Sequence, residues 1–318
     1  MFIESFRMTF GAVTQIFILG AFGFVLVRKG IINQEGLSTI SRLVVEVIFP
    51  ILIFSRLVKN FSFQAYPHWW MMPLLSMAIM LVGFIIGGIF LAFIKGNTAR
   101  HQFLSLIAFQ NSGYLPLALV AAILPPDKAN VMFIDIFMLL LGFDMAVWSL
   151  GIYLLTFHAA KRFELGSIFS PPVIANLFSL ALIFFGLNKF LPNTLMQPLN
   201  MIGDCTLPLA MFVVGGNIAA IHLTRVNKKA ILLMTLAKLI ILPALGFLFV
   251  LRPPITPLMG LLIIMQLAMP PATSLSLIIR HYKKEDILIS QGVFFGHILS
   301  LITIPVFLSL YFSLVVIK

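Results

Sequence analysis

The chain has 318 residues, 61% of them hydrophobic and only 10% charged, whereas soluble globular chains carry about 25% charged residues. One cysteine, Cys205, excludes a disulfide framework and a multi-cysteine metal site, and six histidines without HxxxH or HExxH spacing argue against zinc. The net charge of +11 lies in short gaps between apolar runs, which is how membrane topology is written, and leaves no basic face for nucleic acid.

In chain order, ten apolar runs approach or exceed the roughly 20 residues of helix that a hydrocarbon core requires. They are 8–27, 37–58, 69–94, 102–124, 131–157, 170–190, 197–221, 230–251, 257–280 and 287–316. The first lacks a strongly basic leader and a small-residue cleavage site, so it reads as a retained span. The second holds Arg42 and Glu46, four apart and so on one helical face, followed by Pro50. Trp69 and Trp70 open the third, as an interfacial aromatic belt requires. The fourth is interrupted by Gln110, Asn111, Ser112 and Gly113, with Pro116 just beyond, and the fifth carries Asp144 at its centre. The seventh places Asp204 before Pro208 and contains Gly215 and Gly216, small residues that allow close helix contact, as do Gly87 and Gly88. Lys238 in the eighth is expected to snorkel to the cytoplasmic surface. The ninth carries Gln266, the doublet Pro270–Pro271 and Thr273, and the tenth carries His297, expected to be a packed neutral side chain.

The connections are short, with no soluble domain between them. Lysines and arginines favour the loops after odd-numbered spans, among them Arg28, Lys95, Lys161, Lys228 and Lys284, over the termini and even loops by two to one. That bias puts the odd loops in the cytoplasm and both termini outside. Five spans per half, residues 1–158 and 159–318, give two halves of opposite orientation within one membrane domain. Glu46 and Asp204 each stand four residues before a proline, five spans apart, and the polar interruptions of spans 4 and 9 recur at the same interval. The expected fold is an all-α integral membrane protein of ten transmembrane helices, a five-plus-five inverted repeat with proline-broken crossover helices 4 and 9.

Unwound backbone at membrane depth survives only where protein or a water-filled cavity satisfies it. Two such breaks meeting at the midplane present half-helix N-termini suited to a carboxylate, and C-terminal ends with amide oxygens suited to a cation. The candidate substrate-binding residues are Asn111, Ser112, Gly113, Pro116, Gln266, Pro270, Pro271 and Thr273. Ionisable groups within spans are costly in lipid and mark function by default, so Asp144, Glu46 and Asp204, with Gln110, are the candidates for ion coupling. An Arg42–Glu46 ion pair and solvation of Asp204 at a helix end are the competing structural readings.

These residues resemble the auxin efflux carrier family, whose plant and bacterial members are related to the bile acid/sodium symporter fold. The resemblance is carried by RLVVEVIFPILIFSRL in span 2, FQNSGYLPLAL in span 4, GDCTLPLAMFVVGGNIA in span 7 and AMPPATSLSLI in span 9. It implies an inverted repeat whose two crossover helices meet at their prolines, a transport bundle that moves like an elevator against a scaffold, and an organic anion as substrate. By position, Asn111 and Pro116 match the family's first crossover, and Pro270 or Pro271 the second. The proline doublet, and Gln266 where an asparagine would be simplest, depart from the family pattern. The long cytoplasmic loop of the plant carriers is replaced by HAAKRFELG, as in bacterial members, some of which carry malate or malonate.

The expected function is secondary active or facilitative transport of a small organic anion, a malate- or malonate-like carboxylate or an auxin-like acid, across the cytoplasmic, in bacteria the inner, membrane by elevator-type alternating access. No cofactor or metal is expected, and a coupling ion would be H⁺ or Na⁺. The expected partners are the anion, the lipid bilayer and no nucleic acid, with a homodimer as an open assembly state. A membrane sensor that binds a small ligand without turnover is the alternative. No HExxH or GxSxG motif supports an enzyme.

Overall fold

The computed structural model describes residues 2–156, 169–221, 223, 226–252, 255–281 and 287–315. The loop cations Lys161, Arg162, Arg225, Lys283 and Lys284, and the terminal Lys318, lie outside the described residues.

Helices fall on each of the apolar runs. Seven are long and apolar enough on their own to cross a membrane: α1 (Phe2–Arg28), α2 (Gln34–Asn60), α3 (Met71–Phe93), α6 (Pro126–Leu155), α8 (Asn193–Ala219), α9 (Lys228–Val250) and α12 (Ile287–Leu314). Shorter apolar helices are α5 (Tyr114–Ile123), α7 (Pro171–Phe184) and α10 (Pro257–Ala268), while α4 (Asn97–Ala108) and α11 (Ser274–His281) complete the set. The described residues contain no named strand, only one isolated antiparallel bridge between Gln110 and Pro271.

Local chemistry sets the ends of these helices. Asn33 accepts a hydrogen bond from Gly36 N at 2.8 Å to open α2, Asn227 accepts from Ala230 N at 3.1 Å before α9, and Thr256 accepts from Met259 N at 3.3 Å before α10. Each satisfies an amide that a helix start leaves unpaired. Prolines 126, 171 and 257 open their helices, where the missing N–H costs nothing. Inside α2 and α9 the turns before Pro50 and Pro243 widen into π-helical segments, Val44–Ile48 and Leu236–Ile241. A widened turn relieves the clash between a proline ring and the preceding carbonyls.

Close packing depends on small residues. A side chain at Gly23 would overlap the Phe212 carbonyl, and one at Gly215 would overlap the Gly20 carbonyl, so α1 and α8 cross backbone to backbone. Gly216 packs on Leu37 and Val27, and Gly87 on Leu104 and Ile107, whereas Gly88 meets nothing within 4 Å. Gly83 lies against Ala108 of α4, and Gly142 of α6 lies against Pro73 of α3. Helix α1 packs on α8, α2 on α7 and α8, α3 on α4 and α6, and α12 on α9 and α10. Helix α1 also runs beside α12, where the Thr9 and Ser309 hydroxyls share a hydrogen bond of 2.7 Å.

The proline turns of α2 and α8 touch each other. Gly203 packs on Leu52, and the Thr206 hydroxyl donates to the Ile48 carbonyl at 3.3 Å, inside the widened turn of α2. Pro208 stands third in its helical stretch after a tight turn at Cys205, so the two acid-to-proline motifs adopt different local solutions, a π segment in one and a turn in the other.

Candidate functional site

Between α4 and α5 the backbone leaves the helix at 109–113, and between α10 and α11 it does so at 269–273. Pro116 is the third residue of α5, a position that needs no intrahelical donor. The first interruption therefore precedes its proline, while Pro270 and Pro271 lie within the second. The two stretches cross and pair. Asn111 N donates to the Pro270 carbonyl at 2.8 Å, and Ala272 N donates to the Phe109 carbonyl at 3.0 Å. The Gln266 side-chain amide donates to the Ser112 carbonyl at 3.0 Å. Helix α12 backs the crossing through Gly296, where a side-chain carbon would come within 2.6 Å of the Pro271 ring.

Backbone pairing satisfies the main chain and leaves side chains over. Gln110, Ser112, Gln266 and His297 are at most 1% exposed, and Asn111 is 5% exposed. Both side-chain atoms of the Gln110 amide, Asn111 Nδ2, Ser112 Oγ, Gln266 Oε1, Ser276 Oγ and His297 Nε2 are buried without a hydrogen-bond partner among the described residues. The buried, unsatisfied donor or acceptor costs about 1–3 kcal/mol, and native interiors hold few of them. Their concentration at one crossing is therefore informative. Asn111 Oδ1 accepts weakly from Leu115 N, at 3.5 Å, so the side chain caps α5 while its amide nitrogen stays free. Gly113 and Thr273 precede the N-terminal ends of α5 and α11. Donors at these ends suit an anion, and the Gln266 and Gln110 oxygens suit a cation or a substrate hydroxyl.

The in-span carboxylates have separate surroundings. Glu46 pairs with Arg42 at 3.2 Å on an exposed face of α2. Asp204 pairs with Arg56 at 2.7 Å, joining α8 to α2, and the Arg56 guanidinium also lies 5.9 Å from the Phe133 ring centroid. Asp144 is half-buried on α6, has no hydrogen-bond or ion-pair partner among the described residues, and lies within electrostatic range of the Tyr114 phenol at the start of α5. The His297 Nδ1 is 2.8 Å from the Val293 carbonyl of its own helix.

Lys238 does not reach the membrane surface as its sequence suggests. It is 1% exposed, and its Nζ donates to the Ile107 carbonyl at 2.9 Å, at the end of α4. The physical reason was legible: at a rise of 1.5 Å per residue it lies about 15 Å along α9 from Lys228. The partner was not legible, because it comes from a helix 131 residues away. Ser276 and Tyr114 are the other polar groups that spacing alone did not single out.

The profile of the family described as "Membrane transport protein" matches residues 8–164 and 155–308. The chain is 21% identical to Protein PIN-LIKES 1 of Arabidopsis thaliana over 95% of its own length and 78% of that protein. It is 21% identical to Protein PIN-LIKES 7 of the same plant over 86% of its length and 89% of that protein. Taken with several membrane-length apolar helices, this coverage shows that the chain is a multi-pass membrane protein belonging to the membrane transport protein family, that of the auxin efflux carriers.

Proposed function

We propose that this protein is a secondary carrier of a small organic anion, a malate- or malonate-like carboxylate or an auxin-like acid, bound where the breaks of α4–α5 and α10–α11 cross. One observation carries this reading. Unpartnered, buried donors and acceptors from Gln110, Asn111, Ser112 and Gln266 converge on two interrupted helices in a chain of a transport family. The N-terminal ends of α5 and α11, with Asn111 Nδ2 and the Ser112 hydroxyl, hold the carboxylate. Gln266 and Thr273 complete the site, and Gly113, Pro116, Pro270 and Pro271 keep the backbone open for the anion.

The fold that serves this function is a ten-helix, five-plus-five inverted repeat. Two pairings support it: the α2 and α8 proline turns touch, and the two breaks pair antiparallel. A two-fold-related pair of oppositely inserted repeats brings equivalent elements together in that way. In an elevator-type cycle α1, α2, α7 and α8 act as the scaffold and the helices around the crossing as the moving bundle, with the protein in the inner membrane and both termini outside the cytoplasm.

Export of an anion runs down the membrane potential, since one unit of charge is worth about 2.3 kcal/mol per 100 mV. Uptake requires co-transport of H⁺ or Na⁺. Asp144 has no arginine partner among the described residues and is the first candidate to take that charge, ahead of Glu46 and Asp204.

The test is counterflow in proteoliposomes, with purified protein and radiolabelled mono- and dicarboxylates. Accumulation of label against unlabelled internal anion is the expected result. Saturable binding without counterflow would instead identify a ligand sensor, and neither binding nor counterflow across the panel would remove the organic-anion assignment.

A further inference from the structure

Asn111 and Lys238 are linked through one carbonyl. In an unbroken helix the Asn111 N–H would bond the carbonyl four residues back, that of Ile107. It is directed instead to Pro270, and the Ile107 oxygen accepts from the Lys238 ammonium at 2.9 Å. Ile107 is the second-last residue of α4, where the closing carbonyls carry the negative end of the helix dipole. Lys238 projects from the π-helical segment Leu236–Ile241, is almost fully buried, and has no carboxylate partner among the described residues. Half-helix carbonyl ends at a broken-helix site are where a transported cation is coordinated. A buried, unpaired charge is costly unless something nearby compensates it.

We propose that the Lys238 ammonium is a resident cation of the crossing: it fills the carbonyl end of α4 in place of a sodium ion, and its uncompensated charge favours a carboxylate bound at Asn111. This rests on the carrier reading above and deepens it, because it makes anion binding independent of sodium. Lys238 acts through the Ile107 carbonyl and the field of its charge, so it is a positioning residue rather than one that touches substrate.

The experiment measures counterflow of radiolabelled malonate, malate and indole-3-acetate at one pH, in sodium chloride or N-methylglucamine chloride of equal ionic strength on both sides. Wild type is expected to give the same rate in both salts. Lys238→Gln, shown by size exclusion and thermal unfolding to be folded, is expected to fall about tenfold without sodium, the size of one charge-assisted interaction. Part of that loss should return in sodium, because the shorter neutral side chain frees the α4 end for a cation. Sodium-dependent counterflow by wild type would overturn the proposal, and this comparison holds even where the variant does not fold. A Lys238→Gln rate equal to wild type would overturn it too, and equal slowing in both salts would reduce Lys238 to a structural cap. Absence of counterflow by wild type for every probe removes the carrier reading itself, and this proposal with it.

Discussion

At the scale of single residues, the crossing divides its polar groups into those that hold the backbone and those left available. Gln266 does both, since its nitrogen donates to the Ser112 carbonyl while its oxygen has no partner. Asn111 likewise caps α5 through its oxygen and keeps Nδ2 free. Asn111→Ala removes that donor, and a hydrogen bond to a charged group is worth about 1.5–3 kcal/mol. Counterflow kcat/KM is therefore expected to drop roughly 10- to 100-fold with thermal stability nearly unchanged. Wild-type kinetics would take Asn111 out of the site. Asp144→Asn is expected to abolish the response of uptake to an imposed pH gradient while gradient-free counterflow continues; an unchanged response would make Asp144 structural. Asn111 and Gln266 were visible in the sequence because an amide in an apolar run is conspicuous. Lys238 was equally conspicuous, but its role depends on a carbonyl of another helix, and no spacing rule encodes that.

At the scale of elements, helix association follows from missing side chains. Lipid tails are as apolar as leucine, so helices gain by close approach rather than by burial alone. Gly215 lies against the Gly20 backbone, and Gly88 meets nothing within 4 Å. Gly215→Leu should force α1 and α8 apart, costing about 1–3 kcal/mol, seen as a lower unfolding midpoint in detergent. Gly88→Leu should leave that midpoint in place. Equal effects would mean that the α1–α8 contact does not govern stability. The sequence marked both glycine pairs alike, and only the contacts separate Gly87, Gly215 and Gly216 from Gly88. The proline motifs show a similar limit. Glu46 to Pro50 and Asp204 to Pro208 have one spacing, yet one turn widens and the other tightens. In the proposed elevator cycle, sliding of α12 along α1 would break the Thr9–Ser309 bond. Interhelical bonds of this kind average about 0.6 kcal/mol, so Thr9→Val should alter the transport rate more than the unfolding midpoint.

At the scale of the whole molecule, orientation is a separate question from fold. A cysteine at Lys161, placed in a Cys205→Ser background, is expected to react with impermeant maleimide only in inverted vesicles, since the odd loops carry the excess of cations. Labelling of intact cells would reverse the topology. The number and position of the apolar runs, the interruptions at residues 109–113 and 269–273, and the family resemblance were all determined by the sequence. Each is a local property: apolar length against bilayer thickness, or polar and proline residues against the helix ladder. Tertiary structure decided which groups meet. It paired the two breaks through Asn111, Phe109, Pro270 and Ala272, gave Asp204 to Arg56, and turned Lys238 inward to the Ile107 carbonyl. Those outcomes depend on helix rotation and depth, which close packing sets between segments more than a hundred residues apart.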